Sequence, residues 1–130
     1  MSAGSSPSLK RSKAPRRGAI KSVLVVDDSK LQRKILTLAL KRWGFDVFEA
    51  ASGQEALDLA TVQRPDLVLS DWMMPGMSGL ELCQRFREMD GEEYCYFILL
   101  TSKSEKEEVA RGLDSGADDF LTKPVDNNEL

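Results

Sequence analysis

No histidine occurs at any of the 130 positions of this chain. Imidazole therefore cannot serve here as base, nucleophile, metal ligand or phosphoryl carrier, and any mechanism that needs one draws it from another molecule or domain. Cysteine is nearly absent as well: Cys83 and Cys95 lack C-x-x-C or metal-type spacing, and both sit beside apolar residues. Their expected state is a pair of buried, reduced thiols of an intracellular protein, without a disulfide. No apolar run approaches the ~18 residues of a membrane span, and the first residues lack the apolar stretch of a secretory signal. These absences predict a cytoplasmic location.

Acid is missing from one stretch only. Residues 1–18 hold Lys10, Arg11, Lys13, Arg16 and Arg17 and no carboxylate, a charge of +5, while the remaining 112 residues carry 13 basic and 21 acidic side chains, a net of −8. The acidic part is a poor binder of phosphate backbones. The basic part, rich in Ser, Pro and Gly, has only Met1 and Leu9 as large apolar residues. It cannot bury enough surface to offset its ordering entropy, so residues 1–19 are expected to form a disordered basic tail, with at most weak contact to nucleic acid or anionic lipid.

What remains alternates regularly. "SVLVV" (22–26), "FDVFEA" (45–50), "LVLS" (67–70), "YFILLT" (96–101) and "FLT" (120–122) read as strands. "FDVFEA", the less apolar, reads as an edge strand. Between them fall helices: Ser29 to Trp43 with Leu31, Ile35, Leu38 and Ala39 at helical spacing and Gly44 as stop; Ser52 to about Gln63, opened by a Ser52–Glu55 capping box; about Gly79 to Met89; and one opened by Ser104 and Glu107 and closed by Gly116. Asp126 and Glu129 begin a fifth helix, cut off at Leu130. Alternating strands and helices, with inner strands apolar throughout, predict an α/β fold with a doubly wound, five-stranded parallel sheet covered on both faces. A cut fifth helix leaves apolar sheet uncovered, so the 20–130 domain is expected to continue into an output domain or to self-associate.

Sites in such folds form beyond the carboxyl ends of the strands. Here those ends carry Asp27-Asp28, Asp71, Thr101-Ser102 and Thr122-Lys123-Pro124. Each has an ordinary reading taken alone: helix-capping acids, a turn-starting Asp in "VLSDWMMPG", a strand threonine, a solvated lysine. Their joint arrival at four strand ends favours a site. Clustered carboxylates repel, and an all-oxygen acidic cluster suits Mg²⁺ with a phosphate, to which a lysine supplies a point charge and a threonine a hydroxyl.

The segments "VLVVDDS" (23–29), "PDLVLSDWMMPGMSGLEL" (65–82), "ILLTS" (98–102) and "GADDFLTKP" (116–124), in this order, resemble the receiver domain of two-component response regulators. The resemblance covers about five-sixths of the chain and leaves the tail outside. It implies a flavodoxin-like sheet of strand order 2-1-3-4-5. It implies that Asp71 is the phosphoacceptor, taking a phosphoryl group from a histidine kinase or histidine phosphotransfer protein, and that an exposed carboxylate there needs no general base. Asp28 and Asp71 would ligate Mg²⁺ (Mn²⁺ able to substitute), with Asp27 mainly through water and the backbone carbonyl of Met73 as a further ligand. Lys123 would pair with phosphate across a cis bond to Pro124. Thr101 and Phe120 would relay the signal, although Phe120 also reads as plain core. Such a domain is a regulatory switch, not an enzyme. Its partner is expected beside the first helix, near Lys30, Leu31 and Lys34.

Other readings fare worse. A flavin site needs a phosphate loop where "VVDDSK" places two anions, and an aspartyl-phosphate hydrolase usually has a second Asp where Met73 stands. A pseudo-receiver acting only as an interaction module would have lost an acid, and none is lost.

Overall fold

A computed structural model of the chain describes residues 20–89, 94–101 and 116–122. The tail 1–19, the helix opened by Ser104 and Glu107, the Lys123–Pro124 bond and the turn from Asp126 to Leu130 lie outside the described residues. Within them the order is β1 (Ser22–Val26), α1 (Lys30–Arg42), β2 (Asp46–Ala50), α2 (Gly53–Val62), β3 (Leu67–Asp71), α3 (Gly79–Glu88), β4 (Tyr96–Thr101) and β5 (Asp119–Thr122). The strands pair in parallel in the order β2-β1-β3-β4-β5, so β2 is an edge strand, as its weaker apolarity predicts.

Both faces of the sheet are packed, which is why its central strands read as unbroken apolar runs. Successive side chains alternate between faces. Leu24, Val26, Val68, Phe97 and Leu99 meet Ala56 and Ala60 of α2 and Leu82, Cys83 and Phe86 of α3. Val23, Val25, Leu69 and Leu100 meet Leu36 and Leu40 of α1 on the other side. Burying a side chain such as Phe86 or Leu24 in full contributes roughly 1.5–3 kcal/mol. Cys83 and Cys95 are buried and free, and burial pushes the Cys95 thiol up to about 12.

Local signals fix the helix ends. Ser29, Ser52 and Ser78 each accept a hydrogen bond from the backbone N–H three residues on, at 3.2, 3.1 and 3.1 Å. Glu55 completes the second cap by accepting from Ala51 N–H at 2.7 Å, one residue before the serine that a standard box would engage. At the end of α1, Gly44 takes φ +95°, the left-handed conformation that lets the chain turn into β2.

The face of α1 differs from the sequence reading. Leu36, Thr37, Ala39 and Leu40 are buried, whereas Leu31, Ile35 and Leu38 are exposed, Leu31 by 71%. Only Ala39 of the expected stripe points inward. Consecutive helical residues lie about 100° apart, so two stripes offset by one position both satisfy helical spacing. Packing against Val23, Val25, Leu69 and Leu100 selects the second stripe.

Candidate functional site at the carboxyl end of the sheet

Register places the site. Val26 of β1 lies opposite Ser70 of β3, so the next residues, Asp27 and Asp71, stand side by side. Asp71 in turn pairs with Leu100 of β4, and Thr101 with Thr122 of β5. One carboxylate oxygen each of Asp27, Asp28 and Asp71 lies within 4.8 Å of the others. Thr101 is buried at the neighbouring strand end. Lys123 and Pro124 fall outside the described residues.

The burial of the three acids is graded. Asp27 is fully buried, Asp71 is 6% exposed and Asp28 faces solvent. The expectation of an exposed carboxylate at Asp71 is thereby corrected: β3 runs one residue further than its apolar part and carries Asp71 into the buried layer. Three carboxylates at this spacing, two of them out of solvent, repel one another and gain from a hard cation, so the donor set fits Mg²⁺.

Backbone contacts pin the acids. Asp27 N–H donates to Ala50 carbonyl at 3.1 Å, and Asp27 Oδ1 accepts from Ser29 N–H at 2.9 Å, an Asx turn into α1. After Asp71 the chain is held by Trp72 N–H to Leu100 carbonyl (2.9 Å) and Gly79 N–H to Trp72 carbonyl (2.8 Å). Gly79 comes so close that an added Cβ would overlap the Asp71 carbonyl oxygen. The methionines of this turn do not act alike. Met74 and Met77 pack against the core, but Met73 is 75% exposed. Phe120 is partly buried against the same core cluster, which accords with its plain reading.

Sequence reasoning missed Arg33. Its guanidinium donates to the Asp27 carbonyl at 2.7 Å and to Glu49 Oε1 at 3.2 Å. Its spacing six residues after Asp27 gave no cue, because neither partner is a helix neighbour.

The response regulator receiver domain model matches residues 23–130. The phosphate regulon transcriptional regulatory protein PhoB of Pseudomonas aeruginosa is 39% identical over 110 residues, 85% of this chain and 48% of that protein. The transcriptional regulatory protein AfsQ1 of Streptomyces coelicolor is 43% identical over 109 residues, 84% of this chain and 47% of that protein. The chain thus spans about half the length of these curated relatives. Among solved structures, the Vibrio cholerae chemotaxis protein CheY4 superposes with a TM-score of 0.81 at 34% identity, covering 86% of this chain and 93% of that one. With its sheet order, its acid cluster and these matches agreeing, the chain belongs to the response regulator receiver domain family.

Proposed function

We propose that this domain is a phosphorylation-dependent switch whose phosphoacceptor is Asp71. The observation that carries the reading is the convergence of Asp27, Asp28 and Asp71 within 4.8 Å at the carboxyl ends of β1 and β3. An Asp71 carboxylate oxygen forms a bond to phosphorus as the N–P bond of a phosphohistidine breaks, and the electron pair returns to the imidazole of the partner. The chain has no histidine, so the donor is a kinase or phosphotransfer protein, or another domain. Asp28, Asp71 and the Met73 carbonyl would hold the metal directly, and Asp27 mainly through water. When bound, Mg²⁺ supplies charge neutralisation between the acids and the incoming anionic phosphoryl group. Thr101 donates its hydroxyl to the phosphate and Lys123 pairs with it, the latter turned inward by a cis bond to Pro124. Phe120 follows Thr101 and passes the change to the surface. The domain regulates and does not turn over a substrate of its own, and it works in the cytoplasm.

Intact-mass measurement after incubation with acetyl phosphate tests this. A single phosphoryl increment that requires Mg²⁺ and vanishes in Asp71→Asn is expected. An increment that persists in Asp71→Asn places the acceptor elsewhere, and none in the wild type removes the reading.

A further inference from the structure

Arg33 is the side chain through which three elements meet behind the acid pocket. It starts in the first turn of α1, and its Nη1 donates to the Asp27 carbonyl at 2.7 Å. Its Nε bonds Glu49 Oε1 of β2 at 3.2 Å. The side chain is only 15% exposed, whereas Glu49 is 43% exposed. The carbonyl it holds belongs to the peptide between Asp27 and Asp28, and Asp27 Oδ1 is itself tied to Ser29 N–H. A charge-assisted bond at that point fixes the plane of the peptide from which both carboxylates project.

We infer that Arg33, braced by Glu49, is a positioning residue for the acid pocket: it holds the Asp27–Asp28 peptide in the orientation a divalent cation requires. This rests on the metal-binding reading given above. Mg²⁺ demands near-ideal octahedral geometry, so an error in the placement of two acids is costly in a way that Ca²⁺ would tolerate better. The planar fork is what allows one side chain to bind the carbonyl and the Glu49 carboxylate at once. A lysine ammonium keeps the charge but not the two fixed donor directions. Arg33 is also a cation near three anions, and by charge alone it would weaken Mg²⁺ binding. Positioning and charge therefore pull in opposite directions, which makes them separable.

The test measures Mg²⁺ affinity from Trp72 fluorescence in a Trp43→Phe background, together with the carbonyl ¹³C shift of Asp27 in metal-free protein. Arg33→Lys is the decisive variant, since it keeps charge and stem and so spares the fold; Arg33→Gln accompanies it. Both are expected to raise the Mg²⁺ midpoint about tenfold, with phosphoryl labelling at saturating Mg²⁺ changed little, and to move the Asp27 carbonyl shift. Glu49→Gln, which leaves the bond to the carbonyl in place, is expected to give a smaller rise. A wild-type midpoint in Arg33→Lys, or a tighter one in Arg33→Gln, overturns the inference while leaving the phosphoacceptor reading intact. If the wild type shows no Mg²⁺ response, it is that reading which fails. The metal-free Asp27 shift then still judges Arg33, and an unmoved shift in both variants rejects it.

Discussion

The two ends of the sheet treat carboxylates in opposite ways. At the amino end two acids, Asp118 and Asp66, are set against donors. Asp118 accepts from Arg87 at 2.9 Å, from Phe97 N–H at 2.8 Å and from the Tyr94 hydroxyl, while Arg87 also donates to the carbonyls of Gly116 and Cys95. Tyr94 stacks beneath the Arg87 guanidinium at 4.7 Å, and burial followed by the Asp118 hydrogen bond raises its hydroxyl pKa. Asp66 likewise accepts from Lys21 and Ser22 N–H at 2.8 and 3.0 Å and knits β3 to β1. At the carboxyl end three acids are set against one another. One end spends its charges on holding strands together, and the other crowds like charges into one place, where a bound cation would relieve their repulsion.

That contrast can be broken by experiment. The largest expected effect is complete loss of phosphoryl labelling in Asp71→Asn, together with a gain in metal-free stability on the order of 1 kcal/mol as one of three crowded charges disappears. Arg87→Ala should do the reverse, losing on the order of 3 kcal/mol as the part-buried Asp118 loses its ion-pair partner, while labelling per folded molecule persists. Urea unfolding beside intact mass reads both, and equal destabilisation by the two substitutions would erase the distinction between the ends. Gly79→Ala should lose about 1–3 kcal/mol by overpacking against the Asp71 carbonyl, and here labelling should fall as well, since the strain lands on the backbone of the proposed acceptor.

A smaller effect belongs to Cys95. Its thiol is pushed from 9.0 to about 12, first by burial. A raised value means that the neutral form is favoured by folding. The contribution is complete below pH 9 and is lost as pH rises toward 12. Urea midpoints of the wild type should fall over that window more than those of Cys95→Ala, and the folded thiol should resist a disulfide reagent at pH 8. The smallest effect concerns α1: Lys30→Glu with Lys34→Glu should slow transfer from a histidine partner and leave acetyl phosphate labelling unchanged. Equal slowing of both would argue against docking on this helix.

The legible parts of the molecule were those fixed by local chemistry. The Ser29 and Ser52 caps, the β-branched run of β1 and the alternation of strands and helices follow from neighbours in sequence, and β1 and β4 fall on the expected residues. The gathering of Asp27, Asp28 and Asp71 was legible because a parallel sheet sends every strand's end to the same edge. Features set by packing were not. The inward face of α1 depends on which stripe meets the sheet, the burial of Asp71 on how far β3 runs, and the role of Arg33 on a carbonyl and a carboxylate that approach only after folding. β2 begins at Asp46, not Phe45, because the Phe45 N–H closes the end of α1 on the Leu40 carbonyl.

The sheet also divides the interior into two separate rooms, with α2 and α3 on one side and α1 on the other. Among the described residues, buried side chains of one room belong to a different cluster from those of the other and share with them only the backbone of the sheet. Substitutions such as Phe86→Leu and Leu36→Val should therefore sum in their effects on stability, whereas pairs within one room should not. Each face can then drift in sequence on its own, and a lineage can rebuild the surface of α1 without renegotiating the packing under α2 and α3.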